Sequence, residues 1–326
     1  MSRAVTAVAV GAVAAVTARA AYAGLRRRPP AGEKTWTRTN HRGELVTLLE
    51  GPAVAIGAIT AELTGAAVIA RAANQGRTQA RRTALAGGGA LVFGLIDDLA
   101  GSGKRRGLRG HLGALARGEV TTGTIKLGGI AATGLLCAGS GSVADAVINA
   151  GLIAGGANML NLFDLRPGRA IKVAVLSGAL LAVAAGDPVP VAPVLGASLA
   201  LLPDDLGERS MLGDAGANAL GAMLGAAAAR SLPRPARVAV LAGLVALTAA
   251  SEKVSFTRVI ERTPPLRRLD MLGRRQGGMG GRPPGAIQPR RSRAGRHRRV
   301  ESGDGTARSG PWFLEFFVQR PARQEP

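Results

Sequence analysis

Two adjacent carboxylates, Asp97 and Asp98, close the stretch Gly94-Leu95-Ile96-Asp97-Asp98 at the end of an apolar run from Thr83 to Ala100. An Asp near a bilayer centre costs roughly 2.5–3.5 kcal/mol on insertion scales, so acids in such runs mark function or lie at the interface. At the end of a span they are cheap to solvate and can meet a metal ion or phosphate arriving from water. Taken alone, the pair reads equally well as a solvated helix end. Further polar clusters follow along the chain. Lys104, Arg105, Arg106, Arg109 and His111 precede Lys126 at the start of another apolar run. Asn158, Asn161, Asp164, Arg166 and Arg169 form a third cluster, and Leu212-Gly213-Asp214-Ala215-Gly216 a fourth. Mg²⁺ prefers oxygen ligands and takes one or two carboxylates beside substrate phosphates. Lys and Arg can clamp the remaining phosphate oxygens. The residue types therefore suit metal-assisted chemistry on, or binding of, a phosphate compound.

The elements that must position these groups are apolar blocks. Val5–Leu25 is the first, followed at once by Arg26-Arg27-Arg28-Pro29-Pro30. The others cover about 51–70, 83–100, 124–139, 142–158, 170–186, 188–203, 215–230 and 236–252. Spans need about 20 apolar residues, and these blocks have the length and separation of a polytopic membrane protein. The expected fold is thus an all-α polytopic integral membrane protein with about nine transmembrane helices. Ala21-Tyr22-Ala23 resembles a cleavage site, so a removed leader stays open as an alternative. A leader carries its charge before the apolar stretch, whereas here the Arg cluster follows it, which favours a retained span with the N-terminus outside. Alternation then gives five cytoplasmic segments, at about 26–50, 97–123, 158–169, 203–215 and from 253 onward. Every polar cluster above falls on that one face. Arginines in the external connections at 71–82 and 230–237 weaken this orientation.

Composition agrees with a membrane chain: 47% hydrophobic residues, only 3% aromatic, and a formal charge of +21. A soluble domain this basic would suggest nucleic acid; the apolar blocks exclude that class. Ala, Gly and Val dominate the spans and favour close helix–helix approach. Cys137 is the single cysteine, so an intrachain disulfide is excluded. His41, His111 and His297 are too scattered for a zinc site and read as loop residues. Two regions result, a transmembrane domain over 1–260 and a basic, Pro/Gly/Arg-rich tail over 261–326 that is expected to be disordered and cytoplasmic. The tail's charge suits solvation or anionic lipid heads rather than nucleic acid.

The ordered set Gly94-Leu95-Ile96-Asp97-Asp98, Asn158-x-x-Asn161-Leu162-x-Asp164 and Leu212-Gly213-Asp214-Ala215-Gly216 resembles the polyprenyl-phosphate N-acetylhexosamine-1-phosphate transferases over roughly residues 40–270. The resemblance implies transfer of a sugar-1-phosphate from a UDP-sugar to undecaprenyl phosphate, with release of UMP, in cell-envelope polysaccharide synthesis. It implies Mg²⁺ as cofactor and a bacterial cytoplasmic membrane as location. The partners would be undecaprenyl phosphate, the UDP-sugar, the membrane and a second copy in a homodimer, with no nucleic acid. By the family pattern Asp97 and Asp98 lie at the polyprenyl phosphate, and Asp97 deprotonates or positions it. Asp164 joins them as a catalytic residue, and Asp214, with Asp97, matches the metal site. Asn161, with Asn158 in the same motif, matches a loop position near the nucleotide and diphosphate, whereas Arg166 and Arg169 stand outside the family pattern and are expected to bind a diphosphate or an altered head group of the substrate. Lys126 is placed as a phosphate contact by position, with a snorkelling lysine as the equal alternative.

The chain also departs from the family. Pro167 stands where a second aspartate follows Asp164, with Arg166 and Arg169 beside it. The histidine motif of the last cytoplasmic loop is absent, and Arg262-Thr263-Pro264-Pro265-Leu266 stands there. These departures point to a divergent paralogue and leave a second reading, a non-catalytic relative that binds lipid phosphate or a cell-envelope partner. A transporter would carry acids deep within spans and internal repeats, and neither is visible. Asp204 and Asp205 read as residues that solvate the fourth cytoplasmic segment.

Overall fold

A computed structural model describes residues 2–69, 74–100, 110, 113, 115–139 and 141–275. Lys104, Arg105, Arg106, Arg109, His111, His297 and the tail from 276 onward lie outside the described residues. Within them the chain is helical apart from one hairpin. The helices are α1 (Arg3–Arg27), α2 (Glu33–Trp36), α3 (Glu50–Ile69), α4 (Asn74–Ala100), α5 (Thr122–Cys137) and α6 (Val143–Phe163). They continue with α7 (Arg169–Ala185), α8 (Ala192–Leu206), α9 (Gly213–Ser231), α10 (Arg234–Ser251), α11 (Phe256–Arg262) and α12 (Pro264–Met271). Each of the nine apolar blocks forms a helix, α1 and α3 through α10. Side-chain caps start several of them, since Ser2, Thr121 and Ser142 each accept a backbone N–H of the first turn. Among the described residues five stretches are long and apolar enough to cross a membrane: α1, Gly76–Ala100, α6, Val189–Leu206 and α10. The chain thus has the make-up of a multi-pass membrane protein.

Helix α9 is the centre of the bundle. Every residue from Ala215 to Ala228 is buried, so the helix has no solvent or lipid face over that length. It packs on α3, α4, α6 and α7. Such contact on all sides requires small side chains. A Cβ at Gly221 would come within 2.2 Å of the Gly156 carbonyl oxygen on α6, so the two backbones touch there.

Packing register gives each helix its direction. α1 and α8 run parallel, with Gly11 against Gly196 and Arg19 paired to Asp204. α3 and α9 are parallel through Gly51 with Gly216 and Glu62 with Arg230. α6 and α10 are parallel through Gly151 with Leu241 and Asn158 with Thr248. Against these, α1 is antiparallel to α3 (Ala18 at Gly57, Val10 at Gly65), and α4 to α9 (Gly94 at Asp214, Gly87 at Met223). α4 is also antiparallel to α5 (Gly89 at Thr133, Phe93 at Gly129), α6 to α9 (Gly156 at Gly221, Leu152 at Gly225), and α7 to α8 (Gly168 at Leu206, Gly178 at Leu195). Successive long helices therefore alternate. The C-termini of α1, α4, α6, α8 and α10 share one end of the bundle with the N-termini of α3, α5, α7 and α9.

Connections at that end are folded onto each other. An antiparallel hairpin, β1 (Thr37–Thr39) and β2 (Leu45–Thr47), interrupts the all-helical expectation between α2 and α3. Its Thr47 carbonyl accepts the Met211 N–H at 2.9 Å, tying the first connection to the one before α9. The expected start of the tail at 261 falls inside folded chain. α11, α12 and the residues to Arg275 dock on the same end; Phe256 of α11 stacks on Phe163 at 5.4 Å between ring centroids, and for α12 the reason is ionic. Buried Arg169 forks onto both oxygens of Asp270 at 2.9 and 3.2 Å, and Arg274 binds Asp270 at 2.7 Å. A segment poor in apolar residues is held by paired charge instead.

Candidate functional site

Asp97, on the last turn of α4, and Asp214, on the first turn of α9, both pair with the Lys126 ammonium at the start of α5. The Lys126 Nζ to Asp97 Oδ2 distance is 2.7 Å, and all three side chains are mostly buried. Lys126 is therefore not snorkelling. Three helices meet here because Gly94 lets α4 touch α9, where a Cβ would lie 2.5 Å from the Asp214 carbonyl oxygen.

Asp98 does something different from its neighbour. Its two oxygens accept the Asp214 N–H at 3.0 Å and the Ala215 N–H at 2.9 Å, which satisfies unpaired donors at the N-terminus of α9. Gly213 is needed beside it. Its φ is +65°, and a Cβ there would lie 3.0 Å from Asp98 Oδ2. Arg38 on β1 donates to the Asp98 carbonyl and to the Thr37 carbonyl at 2.8 Å, holding the end of α4. The structure thus separates the two acids. Asp97 faces the shared cation, and Asp98 positions α9.

Asp164 follows α6 and closes its end, with its N–H on the Asn161 carbonyl at 3.1 Å. Burial first, then the charges of Asp205, Asp214 and Asp98, push its carboxyl well above the usual range, against a hydrogen bond from the Gly213 backbone. A small hollow opens beside it, lined among others by Asn40, His41, Arg166, Pro167, Asp205 and Ser210. Burial and the nearby Arg166 lower the His41 pKa, which favours its neutral imidazole.

Of the expected substrate-binding residues, Arg166 lines this hollow, and Asn161 lies partly buried on the last turn of α6. Asn158 and Arg169 are engaged elsewhere. Asn158 Nδ2 donates to Thr248 Oγ1 on α10 at 3.1 Å. Arg169 is buried against Asp270 and Thr257, and these bonds make it part of the clamp on α12. Burial also lifts the Asp270 carboxyl, but its bonds to Arg169 and the charges of Arg169, Arg274 and Lys172 bring it below the usual range.

Sequence reasoning missed several residues. Asp204 and Asp205 do not solvate a loop; they are 5% and 2% exposed. Asp204 accepts from Arg19 and Arg209, which offsets its burial. Glu50, at the start of α3, is fully buried and accepts the Ser210 hydroxyl. Its Oε1, like Asp205 Oδ2, has no hydrogen-bond partner among the described residues. The signal for Glu50 was present in its place directly before an apolar block, and for Asp205 in its adjacency to Asp204.

Among the described residues no group of three or more His, Cys, Asp and Glu side chains is placed to hold a metal ion. Asp97 and Asp214 nonetheless offer hard oxygen donors to one shared cation. That donor set fits Mg²⁺, which keeps several waters and uses one or two carboxylates.

Fold and site together define a class, a multi-pass helical membrane protein with a buried charge network at one end of its bundle. No protein-family model matches the sequence, and no curated protein matches it.

Proposed function

We propose that this chain is a Mg²⁺-dependent transferase that moves a sugar-1-phosphate from a UDP-sugar to undecaprenyl phosphate and releases UMP. The observation that carries the reading is the Asp97–Lys126–Asp214 network, in which three helix ends bring two carboxylates onto one cation. In the reaction an oxygen of the lipid phosphate attacks the phosphorus that bears the sugar, and the bond from that phosphorus to UMP breaks. Asp97 takes or holds the proton of the lipid phosphate. Lys126, already between two acids, exchanges one of them for a phosphate oxygen. Asp97 and Asp214 would hold Mg²⁺, which neutralises charge developing on the transferred group. The hollow at Asp164, His41 and Arg166 supplies polar contacts for the donor.

All nine long helices are spans in this reading, with the N-terminus outside and the site end cytoplasmic. Their alternating directions support it. α5 has 16 residues and a length of roughly 24 Å, short of a hydrocarbon core of about 30 Å, and a locally thinned bilayer accommodates it. Charge supports the orientation as well. At the opposite end Arg230 pairs with Glu62 at 2.8 Å, and Arg237 and Arg234 share Asp145. The arginines that weakened the sequence argument are thus partly neutralised.

One observation favours the non-catalytic reading. The Pro167 carbonyl, at the position of the family's second aspartate, accepts Arg274 Nε at 2.9 Å, so the C-terminal segment straps that loop. UMP release from UDP-N-acetylhexosamines by purified protein, with Mg²⁺ and undecaprenyl phosphate, separates the two. Lipid-dependent release should fall by at least about 10²-fold in Asp97→Asn and Asp214→Asn. Absence of release from every donor, by folded protein that binds the lipid phosphate, would establish the non-catalytic alternative.

A further inference from the structure

The C-terminal part of α1 carries charge that the Asp97–Lys126–Asp214 network does not use. Arg19, Tyr22, Ala23, Arg26, Arg27 and Asp204 line an open hollow of about 630 Å³ beside α8. Three guanidiniums therefore face one carboxylate, and Asp204 is already shared by Arg19 and Arg209. Among the described residues neither Arg26 nor Arg27 makes an ion pair, and both are exposed. The hollow has a fixed frame all the same. Tyr22 is 4% exposed, and the Arg26 guanidinium lies over its ring, 5.6 Å from the centroid, a cation–π contact that steers the arginine. Asp204 anchors Arg19.

The surroundings name the chemistry of an occupant. Along α1 toward its N-terminus Val5, Val8, Val13 and Val16 are exposed, and Leu199 is exposed on the parallel α8. Apolar surface thus runs from the bundle's middle to a cluster of excess positive charge at its end. Basic pockets between membrane helices on the cytoplasmic side suit anionic head groups, with acyl chains along the apolar flanks. We infer that this hollow between α1 and α8 binds the phosphate head group of an anionic membrane phospholipid. The ligand sits on helices other than α4 and α5, so the inference needs α1 to cross the bilayer but does not need the chain to be a transferase. Arg26 and Arg27 contact the phosphate, and Arg19 closes the inner wall.

Arg26→Gln/Arg27→Gln is the informative variant, because both side chains are exposed and Arg19→Gln would break a structural ion pair. Full-length protein is placed in nanodiscs of phosphatidylcholine alone or of an equal mixture with phosphatidylglycerol, and its melting temperature is read. Separate arms titrate phosphatidylglycerol or inorganic phosphate into detergent-solubilised protein. Phosphatidylglycerol should raise the melting temperature of the parent, and the double variant should bind it on the order of 10–30-fold more weakly. An equal response in parent and variant, or no preference for phosphatidylglycerol, would overturn the site. Inorganic phosphate reproducing the full shift would replace the lipid by free anion. The readout does not involve UMP release, so failure here leaves the transferase reading intact, and failure there leaves this one.

Discussion

Lys126 shows how one residue can hold a membrane site together. Two carboxylates brought out of water repel each other unless a cation lies between them, and removing one member of a buried ionic set leaves the others uncompensated. Lys126→Met should therefore lower stability by about 2–4 kcal/mol, read by thermal unfolding in detergent. Mg²⁺ should raise the melting temperature of this variant more than that of the parent, since Asp97 and Asp214 are then free to share a divalent ion. Adding Asp214→Asn should remove that response. A parent-like melting point without any Mg²⁺ effect would mean that Lys126 bridges nothing. The neighbouring acids also show the limit of reading residues in a string. The family pattern favours Asp97 over Asp98 for the lipid phosphate but puts both acids there, and the start of α9, on which Asp98 spends both oxygens, gives Asp98 a different task.

At the scale of elements, backbone contact sets the site's dimensions. α4 and α9 approach at Gly94, and its missing side chain leaves room for the Asp214 carbonyl. Gly88 lies on the same helix, and a Cβ there meets nothing within 4 Å. Gly94→Ala should cost roughly 1–3 kcal/mol by overpacking and loosen the Asp98 contacts to α9. Gly88→Ala should be neutral or gain up to about 1 kcal/mol from helix propensity. Equal effects of the two substitutions on melting temperature would refute close contact at Gly94. The C-terminal strap is the counterpart on the loop side. α12 has little apolar surface to bury, yet Asp270 holds Arg169, Arg274 and, through its carbonyl, Lys172 at 2.7 Å.

For the whole molecule, alternation of nine helices predicts which ends meet the same compartment. Cys137 is the single cysteine and is buried, so a Cys137→Ser background permits single-cysteine labelling. Glu33→Cys and Arg267→Cys should both react with an impermeant maleimide only from the cytoplasmic side. Arg234→Cys, at the opposite end and 57% exposed, should react only from outside. Reaction of Arg234→Cys and Glu33→Cys from one side would break the alternation and with it the shared face.

The amino-acid sequence by itself determined the nine long helices, because hydropathy and block length are local properties that the chain carries in every context. It also placed Asp97, Lys126, Asp164 and Asp214 near helix ends, because each lies beside the boundary of an apolar block. Tertiary structure alone decided which charges meet. Arg169 and Asp270 are 101 residues apart, and Glu50 and Ser210 are 160 apart. Buried ionic and hydrogen-bonded partners are chosen by which elements touch, and no local pattern records that choice. The same reason explains why Asp204 and Asp205 read as solvated acids and proved to be buried: a charge can leave water once distant partners have been brought to it.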